Sequence, residues 1–305
     1  MSSPPSDFAA VQRTRLIAIG LMCGAVFCFA MLDVSAKWLA SGMDPWQIVF
    51  ARYAGSVLMV VALLNPISHP GVLRTKRPWL QWARSLLLLA STALNFFALR
   101  YLQLAETVSI MFATPLLVAL LSGPLLGEWP GPRRLAAIGV GFLGVLIITR
   151  PGLGGLHPAA FLSMIGCACY ALYSLATRVL AAHDSSETTM MYSGFAGALF
   201  MLPITPFVWV TPHDLTSWVL MASVAAFGSF GHWLLILAHR LAPATVLAPF
   251  IYSQIVWMIG MGYFVFGQLP DGWTFVGASI VIASGLYLLY RERVRNVTAG
   301  SARIG

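Results

Sequence analysis

Residues 116–130, LLVALLSGPLLGEWP, have a counterpart 140 positions later in residues 256–270, VWMIGMGYFVFGQLP. Each stretch is the end of a long apolar window. Each stops on the same pattern, Gly127-Glu-Trp-Pro130 in one and Gly267-Gln-Leu-Pro270 in the other. Working outward, the match continues at nearly the same spacing. Lys37-Trp-Leu-Ala answers Arg178-Val-Leu-Ala, Ala54-Gly55 answers Ala196-Gly197, and Arg100 answers Arg240. Chance identities do not hold one register over half a chain, so a shift of 140 to 142 reads as an internal duplication.

The composition says where such a chain can live. Of 305 residues, 59% are hydrophobic and 9% charged. Soluble domains carry roughly 45–50% apolar and about 25% charged residues. A chain this poor in charge cannot cover a globular surface with water-solvated groups, so its apolar surface faces lipid. Disorder is excluded for the same reason. The net charge of +8 would suggest nucleic acid in a soluble protein. Here it is assigned to basic loops that set membrane orientation, with the lipid bilayer as partner and no nucleic acid. Cys23, Cys28, Cys167 and Cys169 all lie in apolar runs and read as small packing residues, with no disulfide framework and no metal-ligand spacing.

A membrane-spanning helix takes about 20 mostly apolar residues. Ten windows qualify: Leu16–Leu39, Trp46–Leu64, Trp82–Leu99, Thr107–Leu126, Leu135–Thr149, Pro158–Leu180, Thr188–Val210, Leu215–Ala238, Ala244–Phe266 and Trp273–Tyr290. Short connections carry turn signals at Asn65-Pro66, His69-Pro70-Gly71, Pro130-Gly131-Pro132 and Pro151-Gly152. The first window is too long for a signal-peptide core and is read as retained. The domain reading is a cytoplasmic, unstructured tail over 1–14, a first five-helix repeat over 15–150, a second over 151–292, and a cytoplasmic tail over 293–305.

Orientation follows from Lys and Arg. With the N-terminus inside, only Lys37, Arg52, Arg100 and Arg150 of the 18 basic residues fall in the outer half. Ten crossings return the C-terminus to the same side. Five helices per repeat is an odd number, so the second copy crosses upside down. The fold class is therefore all-α and integral to the membrane, with ten transmembrane helices as two inverted five-helix repeats. Inverted repeats with a midplane site between them are the common build of secondary transporters, because the two states of such a fold are near mirror images across the bilayer.

The chain resembles the ten-helix EamA-type branch of the drug/metabolite transporter superfamily. The resemblance runs from about Leu16 to Arg293. It rests on the five-plus-five repeat, Leu126-Gly-Glu128, the Gly-rich Gly139-Val-Gly141-Phe-Leu-Gly144 and the closing Gly285-Leu-Tyr-Leu-Leu-Tyr-Arg-Glu-Arg293. Gln268 departs from the acidic pattern that Glu128 keeps. Within that superfamily, Leu32-Asp33…Lys37, Arg52-Tyr53 and Ala248-Pro249-Phe250…Tyr252 are similar to a proteobacterial subgroup of riboflavin importers and S-adenosylmethionine uptake carriers. What the resemblance implies is transport of a small organic metabolite across the bacterial inner membrane. Riboflavin uptake is the first expectation, with S-adenosylmethionine uptake or export of amino acids or drugs as alternatives.

Ionisable groups in a bilayer need a reason. Asp33 and Lys37 share a helix face. Arg52 and Asp33 each lie about six residues from the outer helix ends, roughly 9 Å deep. An ion-pair cluster of Asp33, Lys37 and Arg52 is expected, either as an outer gate or as a packing clamp. Glu106 reads as a helix cap or as a coupling carboxylate. Arg84 and Arg178 read as snorkelling toward headgroups. Candidates for binding are Asn95, Thr114, Tyr170, Tyr173, Ser229, His232, Trp233, Tyr252, Gln254 and Trp257, deep polar and aromatic residues suited to a flat heteroaromatic solute. Each alone could equally be packing or an interhelical hydrogen bond. Thr114-Pro115 is expected to free a carbonyl for a ligand. Gly20 with Gly24, Gly139-Gly141-Gly144 and Gly260-Gly262 read as close-packing faces within the bundle or between subunits, the chain being a monomer or homodimer.

No HExxH, DxD or GxSxG pattern occurs, which argues against a membrane-embedded enzyme. A channel would have no need of the inverted repeat and would show a filter or polar stripe. No ATP-binding GxxxxGK[ST] loop is present, and no cofactor or metal is expected.

Overall fold

The structure, a computed structural model, describes residues 5–64, 71, 74–150 and 157–301. Every regular element among them is a helix: α1 (Pro5–Ala40), α2 (Pro45–Leu64), α3 (Pro78–Leu99), α4 (Leu104–Met111), α5 (Thr114–Leu126), α6 (Pro132–Thr149), α7 (Ala159–Leu180), α8 (Ser186–Met201), α9 (Thr205–Val208), α10 (Leu215–Leu241), α11 (Ala244–Ile251), α12 (Gln254–Phe266) and α13 (Gly272–Ser301). The turn signals Asn65-Pro66, His69-Pro70 and Pro151-Gly152 fall outside the described residues. The expected unstructured tail is corrected in part, because α1 is already helical from Pro5.

Among the described residues, nine of the ten crossings are long and apolar enough to span a bilayer on their own. The seventh is α8, only 16 residues long, followed by a turn and the short α9. Two other crossings are broken at the same place. The fourth divides into α4 and α5 at Phe112-Ala113, and the ninth into α11 and α12 at Tyr252-Ser253, 140 residues apart. Both second segments end alike. Gly127 and Gly267 adopt left-handed φ of 73° and 65°, and each glycine and the residue after it bond back to the last turn, Gly127 to Gly123 and Glu128 to Ser122, Gly267 to Tyr263 and Gln268 to Gly262. Only glycine takes that φ without cost, which is why the Gly127 and Gly267 stops recur.

The neighbours of each helix reveal the symmetry. The packing of α1 on α10 maps onto α7 on α3, α2 on α10 onto α8 on α3, and α1 on α12 onto α7 on α5, while α2 with α8 and α6 with α13 map onto themselves. A twofold axis relates halves that exchange in this way. Phe112 and Tyr252, one shift apart, touch each other with ring centroids 4.9 Å apart, so the axis passes between them. With five crossings per half, it lies in the membrane plane. The chain is two inverted five-helix repeats.

Arg178 does not simply reach for headgroups. It forms a two-pronged ion pair with Glu128 across the halves, at 2.9 and 2.8 Å. Both side chains are more than half exposed (58% and 52%), so Arg178→Gln is expected to cost less than about 1 kcal/mol of stability in a melting experiment.

Candidate functional site

A cavity of about 390 Å³ opens between the halves, walled by α2, α3, α7, α8 and α10. Its deep end holds Arg52, Tyr53 and Gly228, and its mouth is at Asp184, His239 and Arg240. That volume lies in the range of small-molecule sites.

Two buried arginines define it. Arg52 is 8% exposed and Arg84 3%. Arg52 donates from Nη1 to Thr92 Oγ1 at 2.6 Å and lies over the Tyr53 ring, while its Nε has no partner. Arg84 spreads its fork over two helices, α7 and α8: Nε to Thr177 at 2.7 Å, Nη1 to the Thr189 carbonyl and to Ser193 Oγ, Nη2 to Tyr173 Oη at 2.9 Å. Every one of those acceptors is neutral. The expectation that Arg84 snorkels to headgroups is therefore wrong. The helix it sits on begins at Pro78, four residues before the apolar window suggested. Proline at the first helical position starts the helix early, which puts Arg84 about 9 Å inside it at 1.5 Å per residue. The same depth measure, taken from Pro78, would have found it.

Ser229 donates to Ser56 Oγ at 2.8 Å, and both line the cavity. His232 lines it too, with Nδ1 2.8 Å from the Gly228 carbonyl. A carbonyl only accepts, so Nδ1 carries the hydrogen in this contact. At the mouth, Glu187 pairs with Arg240. Asp184 accepts from Thr75, from Gln81 at 2.8 Å and from the Lys76 amide. Burial alone would raise its pKa; these hydrogen bonds outweigh burial and hold it below the usual carboxylate value.

The opposite end is shut. Lys37 Nζ donates to the carbonyls of Leu99 (3.0 Å) and Leu102 (2.6 Å). The fully buried amide of Gln47 makes a reciprocal pair with the backbone of Val210, at 2.8 and 2.9 Å. Trp46 stacks edge-on to Phe97, and Arg150 pairs with Asp271 at 2.6 Å.

Of the sequence candidates, the structure brings Arg52, Tyr173, Ser229 and His232 to the cavity wall. It separates the others from it. The Asp33–Lys37–Arg52 ion cluster does not form: Asp33 accepts from the Asn95 amide at 3.0 Å, Lys37 caps α3, and Arg52 turns to Thr92. Glu106 caps α4 through the Gln103 amide at 2.9 Å. Thr114 does not leave a carbonyl free, because its own hydroxyl takes the Met111 carbonyl at 2.6 Å. Tyr170 lies behind Tyr173, with centroids 5.3 Å apart. Tyr252 is buried against Phe112, Gln254 opens α12 outside the cavity wall, and Trp257 packs on Phe27. Trp233 and Trp257 are 45% and 39% exposed on the outside of the bundle. Of the glycine faces, Gly141 and Gly144 are at close contact, while Gly20, Gly139 and Gly260 meet open space.

The profile of the EamA-like transporter family matches residues 16–150 and again residues 157–291. The chain belongs to the EamA-like transporter family. This EamA-like transporter is 24% identical over 284 residues to a Rickettsia conorii protein named S-adenosylmethionine uptake transporter, covering 92% of this chain and 95% of that one. It is 26% identical over 291 residues to a Vibrio cholerae protein named riboflavin transporter, covering 90% and 95%. A solved structure superposes with a TM-score of 0.63 at 16% identity, covering 91% of this chain and 98% of that one, which supports the fold. The family profile matching twice agrees with the duplication read from Gly127 and Gly267, and the chain is a multi-pass membrane transporter.

Proposed function

We propose that this transporter takes up a small organic metabolite by alternating access, with riboflavin as its substrate. The observation that carries the reading is the cavity at the interface of the halves, open at one end and sealed at the other. Tyr173 and His232 put aromatic groups on its wall, and Arg52, which keeps a spare donor, and the Ser56–Ser229 hydroxyl pair line it with polar groups for the polar edge of a ring. S-adenosylmethionine is the second reading, favoured by the Rickettsia relative. Its net positive charge, a sulfonium and an ammonium against one carboxylate, would face two buried guanidinium groups, so the charge balance supports riboflavin.

Both termini and the cavity mouth are assigned to the cytoplasm of a bacterial cell inner membrane, on the bias of Lys and Arg toward that side. The cavity mouth carries Arg240 and the loop carrying Arg74, Lys76 and Arg77 lies beside it, so the state described faces inward. Radiolabelled riboflavin is expected to enter proteoliposomes saturably and to show counterflow; the absence of saturable uptake would reject riboflavin.

In this reading Gln47 latches the outer side. Losing its two bonds to Val210 removes about 1–2 kcal/mol, which moves a two-state equilibrium by a factor of about 5–30. In a background without Cys23, Cys28, Cys167 and Cys169, Gln47→Ala is expected to raise labelling of Ser56→Cys by an impermeant maleimide added outside. Unchanged labelling would show that Gln47 is not part of the gate.

A further inference from the structure

We infer that the deep end of the cavity is a seat for an oxyanion, a carboxylate or phosphate group, bound by Arg52 and Arg84. The inference rests on the carrier reading and narrows its substrate class: an anionic relative of a neutral solute binds better than the solute itself, and cations are refused.

Arg52 and Arg84 are both more than nine-tenths buried and both line the cavity. Among the described residues neither makes an ion pair: the acidic groups nearby are engaged elsewhere. Asp33 is held by Asn95 and acts on Arg52 only through space. Glu187 is matched by Arg240. Asp184, at the mouth, is occupied by Thr75, Gln81 and the Lys76 amide. The cation nearest in type, Lys37, faces the sealed end and is spent on two carbonyls. Taking a cation out of water costs several kcal/mol when no counter-ion repays it. Two such cations in one membrane cavity point to a ligand that brings the opposite charge.

Chemistry selects the ligand group. Guanidinium forks match pairs of oxygens on carboxylate and phosphate. Arg52 still has a buried Nε without an acceptor on the cavity wall, a donor that an arriving oxygen would satisfy. Arg84 spends four of its five donors on hydroxyls and a carbonyl, contacts that aim it and leave its charge unneutralised. The seat is thus one aimed charge and one charge with a spare donor. The hydroxyls of Ser56 and Ser229 complete a polar lining beside them.

Purified full-length protein in detergent would be titrated with inorganic phosphate, riboflavin and riboflavin 5′-phosphate, with binding followed by calorimetry and melting temperature. Phosphate is expected to stabilise the wild type and the Arg178→Gln control. The phosphate ester is expected to bind at least ~10-fold tighter than riboflavin, and Arg52→Gln or Arg84→Gln to weaken both anions by at least ~10-fold. Arg52→Lys, which keeps the charge, should retain part of the binding; a folded Arg52→Gln that does not bind then reports the seat and not the fold. Displacement of phosphate by the ester assigns the seat to the solute's own anion; simultaneous binding assigns it to a separate ion. Anion binding unchanged in both arginine variants would overturn the inference. So would saturable riboflavin uptake with no preference for the ester, a result that leaves the carrier reading intact. Phosphate binding lost in Arg52→Gln, with no uptake of any tested solute, would sustain the seat and reject the carrier reading.

Discussion

Arg84→Met is expected to abolish uptake while leaving the protein folded, with a melting temperature within a few degrees of the wild type or above it. The balance of terms decides this. Of the four acceptors that Arg84 serves, the hydroxyls of Thr177 and Ser193 keep bonds to their own helix, to the Tyr173 carbonyl at 2.7 Å and the Thr189 carbonyl at 2.8 Å. The Thr189 carbonyl thereby keeps a donor as well. Only the Tyr173 hydroxyl is stranded, a cost of about 1–3 kcal/mol. Loss of the guanidinium over the Tyr173 ring, 4.5 Å away, adds about 1 kcal/mol. Against this stands the desolvation of a buried cation without a counter-ion, several kcal/mol, which methionine removes while filling similar volume. The two sides nearly cancel in stability. They do not cancel in function, because the ligand loses its charge partner. Uptake is expected to fall at least ~100-fold, the equivalent of about 2.7 kcal/mol of binding. A melting temperature that collapses together with uptake would make Arg84 a structural clamp across α3, α7 and α8.

The architecture was legible in the sequence because the bilayer imposes it. Apolar windows of spanning length, the register of Gly127 with Gly267 and the odd helix count per half are one-dimensional signals, and the structure follows them. The site was less legible, for reasons that particular residues illustrate. Arg84 lies only two residues inside the apolar window that starts at Trp82, and only Pro78 discloses the extra turn that carries it inward. Asp33, Lys37 and Arg52 lie at the right depth to meet, yet helix rotation sends Lys37 to the end of α3 and Arg52 to Thr92. Depth is written in sequence; azimuth is not. Thr114-Pro115 lies at the break before α5, which the single window Thr107–Leu126 did not foresee, and the matching break before α12 has Gln254-Ile255 in its place. Both breaks keep a hydroxyl that folds back on the preceding turn, Thr114 to Met111 and Ser253 to Phe250. The break is a property of the crossing at the axis, where Phe112 meets Tyr252, and proline is one accommodation of it.

Gly277→Val is the substitution expected to cost the fold most. A Cβ built on Gly277 would lie 2.6 Å from the Gly144 carbonyl oxygen, 2.6 Å from Ile148 Cγ1 and 3.0 Å from the Ile148 amide nitrogen. Two of these are backbone atoms, which cannot swing aside as a side chain can. From the other side, a Cβ on Gly144 would meet the Gly277 carbonyl at 2.8 Å. The α6–α13 pair is thus in backbone-to-backbone contact, and it is one of the pairs that map onto themselves across the axis. In lipid there is no hydrophobic drive to hold helices together, so close packing of small residues is what joins them. Forcing a branched side chain between the two backbones is expected to cost about 3 kcal/mol or more, a large part of a stability of about 5–15 kcal/mol. Gly277→Val should therefore lose its monodisperse peak in size-exclusion chromatography of solubilised membranes. Gly260→Ala, also a glycine in an apolar helix but with no atom within 4 Å of its Cβ position, should keep that peak, since alanine in a helix is favoured over glycine by about 0.5–1 kcal/mol. If Gly277→Val instead ran as the wild type does, α6 and α13 would have to be further apart than their backbones lie here, and the axis between the two halves would have lost one of its supports.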